Sequence, residues 1–301
     1  MRMSGFLSAV LLFWIGVHPL VLRAESFFAD PNLDAAVKKQ VFAGDKMTEE
    51  DLKKLSVLKA TGAGIRDLKG LEKCINLAAL DLADNQIVDL TPLKDLTNIQ
   101  TLTLSGNKIQ DLGPLSGLTR LQYLELSRNE VSDLGPLSKL TEMSALYLSK
   151  NRIRNLSSLQ ALTKLSSLYL DGNQVSDLKP LADIQHLSCL DLTGNQVADL
   201  SALSNMTDLR YLILNNNRLS DLKPLVAMSK KDFEGEKSFA PYLFLYLNGN
   251  PLSAAAKTSQ LNELKGYGVR LEYGEGGADR KSAGSQKPTA ASKKPAAPAQ
   301  K

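Results

Sequence analysis

Apolar residues fall on a fixed grid along most of this chain. In "LSSLYLDGNQVSDLKPL", residues 165–181, they come first three and then two apart, at Leu165, Leu168 and Leu170. The two-residue step is strand spacing, because successive side chains on a strand point to opposite faces. Leu168 and Leu170 therefore point inward and Tyr169 outward. The stretch from Leu168, "LYLDGNQVSDLKPL", recurs 22 residues earlier as "LYLSKNRIRNLSSL" and 22 residues later as "LDLTGNQVADLSAL". Asparagines mark the period at Asn85, Asn107, Asn129, Asn151, Asn173, Asn195 and Asn217. The next match, Asn250, comes 33 residues on, so 11 extra residues have entered there. One step before Asn85 the slot holds Ala63, in a degenerate first unit. A period in the twenties predicts a solenoid, in which each unit buries its apolar face only against its neighbours.

The polar positions of the grid have their own physical reasons. The Asn173 amide both donates and accepts hydrogen bonds, so it can satisfy backbone groups in a buried turn. Asp177 precedes a short turn whose free N–H groups a carboxylate can cap, and Pro180 suits a first turn because its missing N–H is not needed there. Two units depart from the pattern, with Asn155 and Ser158 in one and Ala202 replacing proline in the other. Looser convex turns are expected in both.

The units resemble leucine-rich repeats of the 22-residue type, L-x-x-L-x-L-x-x-N-x-I-x-D-L-x-P-L. That type occurs in bacterial internalin-like surface proteins and in a regulatory subunit of eukaryotic protein phosphatase 1. The resemblance spans roughly residues 27–273. It implies an α/β repeat solenoid: a horseshoe with a parallel concave sheet, short turns or 3-10 segments on the convex side, and a helical N-terminal cap. It also implies that the concave face binds a partner, usually a protein.

The ends break the period. Residues 1–24 have a basic start, an apolar run from Phe6 to Leu22 and a small residue at Ala24, the pattern of a cleaved secretory signal peptide. That run is short for a membrane span and is interrupted by His18-Pro19, so no span is expected after cleavage. Residues 25–54 predict a two-helix cap. Asp30 precedes Pro31 at the start of the first helix, and Thr48 with Asp51 has capping-box spacing at the start of the second. Residues 55–250 hold about nine repeats, with the insertion at 229–241 expected to protrude. Residues 251–274 read as a C-terminal cap with a helix and a last strand, and 275–301 as a disordered basic Ala/Pro/Lys tail.

Charge follows the same division. The chain carries 36 basic and 32 acidic side chains, and the tail alone holds six basic and two acidic. The repeat body is close to neutral, so no nucleic-acid partner is expected. Cys74 occupies a core slot and Cys189 an outward slot five units away, too far apart for a disulfide if that register holds. Outside the leader, His186 is the only histidine. No ligand cluster for zinc, no phosphate-cradling loop and no nucleophile motif is present, so no metal, cofactor or catalytic residue is assigned and the chain reads as a non-enzyme. Asp171 and Asp191 on adjacent strands could form an acid/base pair or a calcium site, but two solvated acids is the better reading.

Outward strand positions are the remaining candidates. They are small toward the N-terminus, whereas Tyr123, Glu125, Tyr147, Tyr169, Asp171, Asp191, Tyr211, Ile213, Phe244 and Tyr246 form an aromatic and acidic set farther on. Tyrosine packs well on any sheet, but a one-sided open cluster also suits an interface. The expectation is an exported protein that binds a partner, most readily a protein, on this face. A cell-wall or glycan binder and a phosphatase-regulatory scaffold stand as alternatives. The leader argues against the latter.

Overall fold

Among the described residues, ten three-residue strands lie side by side in chain order and form one parallel sheet. They are β1 (Val57–Lys59), β2 (Ala79–Asp81), β3 (Thr101–Thr103), β4 (Tyr123–Glu125), β5 (Ala145–Tyr147), β6 (Ser167–Tyr169), β7 (Cys189–Asp191), β8 (Tyr211–Ile213), β9 (Phe244–Tyr246) and β10 (Arg270–Glu272). The computed structural model describes residues 26–41 and 46–273. The leader and the tail expected at 1–24 and 275–301 lie outside the described residues. The strands pair in strict register, for example Leu146 with Leu168 and Leu168 with Leu190. One leucine ladder therefore runs the length of the sheet, fully buried from Leu102 to Leu245. This is the solenoid that the spacing predicts and the leucine-rich repeat horseshoe that the resemblance implies.

The asparagine ladder closes each unit onto the one before. Asn173 is buried. Its Nδ2 donates to the carbonyls of Leu148 and Leu170, both at 2.9 Å, and its Oδ1 accepts from the Ile153 N–H at 3.0 Å. The same three-way bonding recurs from Asn85 to Asn250, where the accepting bond reaches across the insertion to the Leu219 N–H. The residue before each of these asparagines is left-handed, with glycine at 106, 172, 194 and 249 and with Asp84, Arg128, Lys150 and Asn216 elsewhere. Glycine adopts that conformation without strain, while side-chain-bearing residues are held there by the surrounding bonds.

Short 3-10 turns carry the chain back over the convex side. In Lys179–Leu181 the Asp177 carboxylate accepts from the Lys179 N–H at 2.9 Å and Pro180 lies within the turn. The two units expected to be looser form the same turn, at Ser157–Leu159 and Ser201–Leu203. Asn155 and Asp199 supply the same acceptor there, at 2.8 and 2.9 Å, so the proline is dispensable.

Helices α1 (Pro31–Val41) and α2 (Glu49–Lys54) cover the N-terminal end. The capping box between Thr48 and Asp51 is complete. Asp30 does more than cap α1. One carboxylate oxygen accepts from Asn32 and Leu33, and the other from the Arg66 and Asp67 N–H groups of the first repeat. Burial pushes this carboxyl up, but the four backbone donors outweigh it and hold its pKa below the ordinary value.

The insertion is not a protruding loop. Helix α3 (Lys223–Glu234) replaces the 3-10 turn of its unit and buries Leu225, Met228 and Ser229. The following segment folds back on it: Asp232 accepts from the N–H groups of Ser238, Phe239 and Ala240, and the Phe239 ring is fully buried. Phe233 alone of the two phenylalanines remains exposed. A π-helical turn (Ala256–Gln260) then leads into α4 (Leu261–Gly266) and β10.

Candidate functional site

The concave face consists of the outward residues of the ten strands, arranged in rows by the parallel register. One row runs Tyr123, Ala145, Ser167, Cys189, Tyr211, Phe244 and Arg270. The next runs Glu125, Tyr147, Tyr169, Asp191, Ile213, Tyr246 and Glu272. Nine of the ten candidate residues lie in these two rows, and Asp171 follows two positions after Tyr169, beyond the end of β6. They do not form one uniformly open patch.

In the middle of the sheet the aromatics cover one another. The Tyr147 ring stacks on Tyr169 with centroids 4.7 Å apart and planes 9° apart, and Tyr123 leans on Tyr147 at 5.2 Å. Small residues, Ala145 and Ser167, occupy the neighbouring positions of the first row and leave room for these rings. Tyr147 keeps only 6% of its surface exposed and Glu125 only 1%. Both were expected on an open surface; they are instead packed into the floor of the face. Cys189, expected as a surface thiol, is also buried, and its Sγ donates to the Tyr169 hydroxyl at 3.2 Å. Cys189 and Cys74 are both free thiols. Burial raises the Cys189 pKa, which disfavours the nucleophilic thiolate. Burial, with nearby carboxylates or thiol adding to it, likewise raises the phenol pKa of Tyr123, Tyr147 and Tyr169.

Asp191 is the electrostatic singularity of the face. Burial pushes its carboxyl up to about 6 despite a 2.9 Å bond from the Thr193 N–H, and the charge of Asp171 adds to the rise. Among the described residues no group of three or more His, Cys, Asp or Glu side chains is placed to hold a metal ion.

Toward the C-terminal end the face opens. Tyr211 is 42% exposed and stacks on Phe244 at 5.1 Å, with planes 11° apart. Arg270 caps the far side of Phe244, its guanidinium 4.7 Å from the ring centre. Beside this stack, Arg210 lies 5.5 Å over Tyr242, which is exposed. Arg210, Tyr242, Arg270 and Glu272 extend the face beyond the residues singled out from the sequence. The alternation in "VRLEY" marks Arg270 and Glu272 as outward partners of a last strand and was the available signal. Arg210 and Tyr242 precede their strands, where no periodicity announces them.

Comparison with known proteins agrees with this geometry. A family model described as leucine-rich repeats, in two copies, matches residues 97–139, 141–183 and 185–227. No curated protein matches the sequence. Among solved structures, internalin C2 of Listeria monocytogenes is 35% identical with a TM-score of 0.66, over 75% of this chain and 95% of that one. A leucine-rich repeat protein of Leptospira interrogans shares the fold at 21% identity and a TM-score of 0.54, over 69% of this chain and 57% of its own. The plant peptide hormone receptor RGFR1, solved in complex with RGF2, shares it at 21% identity and a TM-score of 0.50, over 61% of this chain and 34% of its own.

Proposed function

The chain belongs to the internalin-like leucine-rich repeat family, and from that premise we propose that it is an exported, non-catalytic binding protein that holds a protein partner on its concave face. The observation that carries this reading is the uneven distribution of side chains over that face. Small residues line β2 and β3, whereas Tyr169, Asp171, Asp191, Tyr211, Ile213, Phe244 and Tyr246 gather on the C-terminal half, half-buried or exposed. Aromatic residues with a polar tip are favoured anchors at protein interfaces, and arginine accompanies them. Tyr123, half-buried like Tyr169, extends this set, while the buried Tyr147 and Glu125 take a supporting part in the floor of the face. Export rests on the leader-like residues 1–24.

The test is affinity capture from the source cell envelope with the wild type and with a Tyr211→Ala/Ile213→Ala variant. The variant should lose the captured protein by at least about thirty-fold in affinity, corresponding to about 2 kcal/mol for a central anchor. Its melting temperature should stay close to that of the wild type. Undiminished capture by a folded variant contradicts the assignment, and capture of glycan instead of protein favours the cell-wall alternative.

A further inference from the structure

The two edges of the sheet are finished differently. At the N-terminal edge α1 packs beside β1. At the other, β10 pairs with β9 on one side and has no strand on its other side among the described residues. The Arg270 N–H donates to the Leu243 carbonyl at 2.9 Å, and the Glu272 carbonyl accepts from Leu247 at 3.1 Å. These two residues thus spend their backbone groups on β9. Backbone groups alternate sides along a strand, so the N–H and C=O of Leu271 point to the open edge.

We propose that this edge is a self-association site, at which two copies of the chain pair their β10 strands antiparallel about a two-fold axis through Leu271. The charge pattern argues for a second copy as the occupant. Solvent-exposed edge strands are commonly protected from pairing by charge, since like charges meet when a strand pairs with its own kind. Here the signs are arranged the other way. A two-fold axis through Leu271 exchanges positions 270 and 272, so Arg270 faces the second copy's Glu272 and Glu272 faces the second copy's Arg270. Because Leu271 exchanges both backbone bonds with its symmetry mate, these opposed residues fall in the closely spaced pair, where side chains are nearest. The Arg270 guanidinium lies 4.7 Å from the Phe244 ring centre, on the β9 side, and turns toward the edge to meet the second copy's Glu272 carboxylate. Tyr273, 37% exposed, would lie across from the second copy's Val269. The axis stands perpendicular to the sheet, so both concave faces open on the same side and the two ten-stranded sheets become one. The pairing does not depend on what the concave face binds.

Sedimentation velocity of the full chain over a concentration series at low salt tests this. A concentration-dependent monomer–dimer equilibrium is expected. Arg270→Glu makes the edge wholly acidic and Glu272→Arg makes it wholly basic, so each variant alone should remain monomeric. Mixed together they should form a dimer, because the charges again oppose. Leu271→Pro should abolish dimerisation while keeping the β9–β10 backbone bonds, since β9 does not use that N–H; its melting temperature should fall because the Leu271 side chain packs against the core. If the proline variant fails to fold, the mixing experiment still decides. A chain that stays monomeric throughout the series overturns the proposal. So does a dimer that survives Leu271→Pro, or a mixture of the charge variants that remains monomeric.

Discussion

Single residues in this protein divide cleanly into those that satisfy the backbone and those that face outward. Asn173 belongs to the first group through its bonds to Leu148, Leu170 and Ile153. Leucine at that position fits the volume but leaves buried backbone groups unsatisfied, at a cost of about 1–3 kcal/mol or more. Urea denaturation of Asn173→Leu should show a lower midpoint, and an unchanged one would contradict the role of the ladder. This role was legible in the sequence, because the period repeats it eight times. Asp191 was legible only as an outward acid; its perturbation comes from being walled in by neighbours on adjacent strands, which no single-strand pattern reveals. The folded state binds its proton more tightly than the unfolded state does, because its folded pKa of about 6 lies above the ordinary carboxylate value. Its contribution to stability is therefore fully present below the unfolded pKa and is lost as pH rises from about 4 through about 6. The loss is no more than about 3 kcal/mol, and solvent access reduces it. Asp191→Asn should remove that fall and be the more stable protein at pH 7, as a pH series of thermal melts would read. Equal pH profiles for the two proteins would contradict the burial argument.

At the scale of elements, the repeat was readable and its interruption was not. Strand, turn and cap positions follow from leucine spacing, Asp-x-x-Pro turns and the capping residues at Asp30 and Thr48. The insertion has no such grid. Its helix starts at Lys223-Pro224-Leu225, the same residues that open the 3-10 turn at Lys179–Leu181, and simply continues to Glu234. Continuation depends on tertiary packing of Met228 and on the return of Phe239 beneath it, contacts that lie outside any local period. Phe239→Ala should therefore cost about 3–5 kcal/mol, as for a fully buried ring. Phe233→Ala, on the exposed side of the same segment, should stay within about 1 kcal/mol. Chemical denaturation of the two variants compares them directly, and equal effects would mean that the segment is not folded against the core.

The whole molecule is a ladder of near-identical units whose inner face is uniform leucine and whose outer face is free to vary. Fold was legible for that reason: the same leucine-type positions recur in unit after unit. The candidate site was legible in position, since the strand register places every outward residue, but not in exposure. The tyrosines of β4 to β6 bury one another, and which of them remains available depends on ring packing across strands. The face that stays available is the C-terminal half, from Tyr169 to the Phe244–Arg270 stack, and the claim that a partner sits there is the centre of the account. Site-directed photocrosslinking tests it most directly. A benzophenone side chain placed at Tyr211, on the concave sheet, and separately at Val88, exposed but off the sheet, reports what lies against each position in the source envelope. A discrete protein adduct is expected from position 211 and none from position 88. An adduct from position 88 with none from 211 would place the partner elsewhere and contradict it.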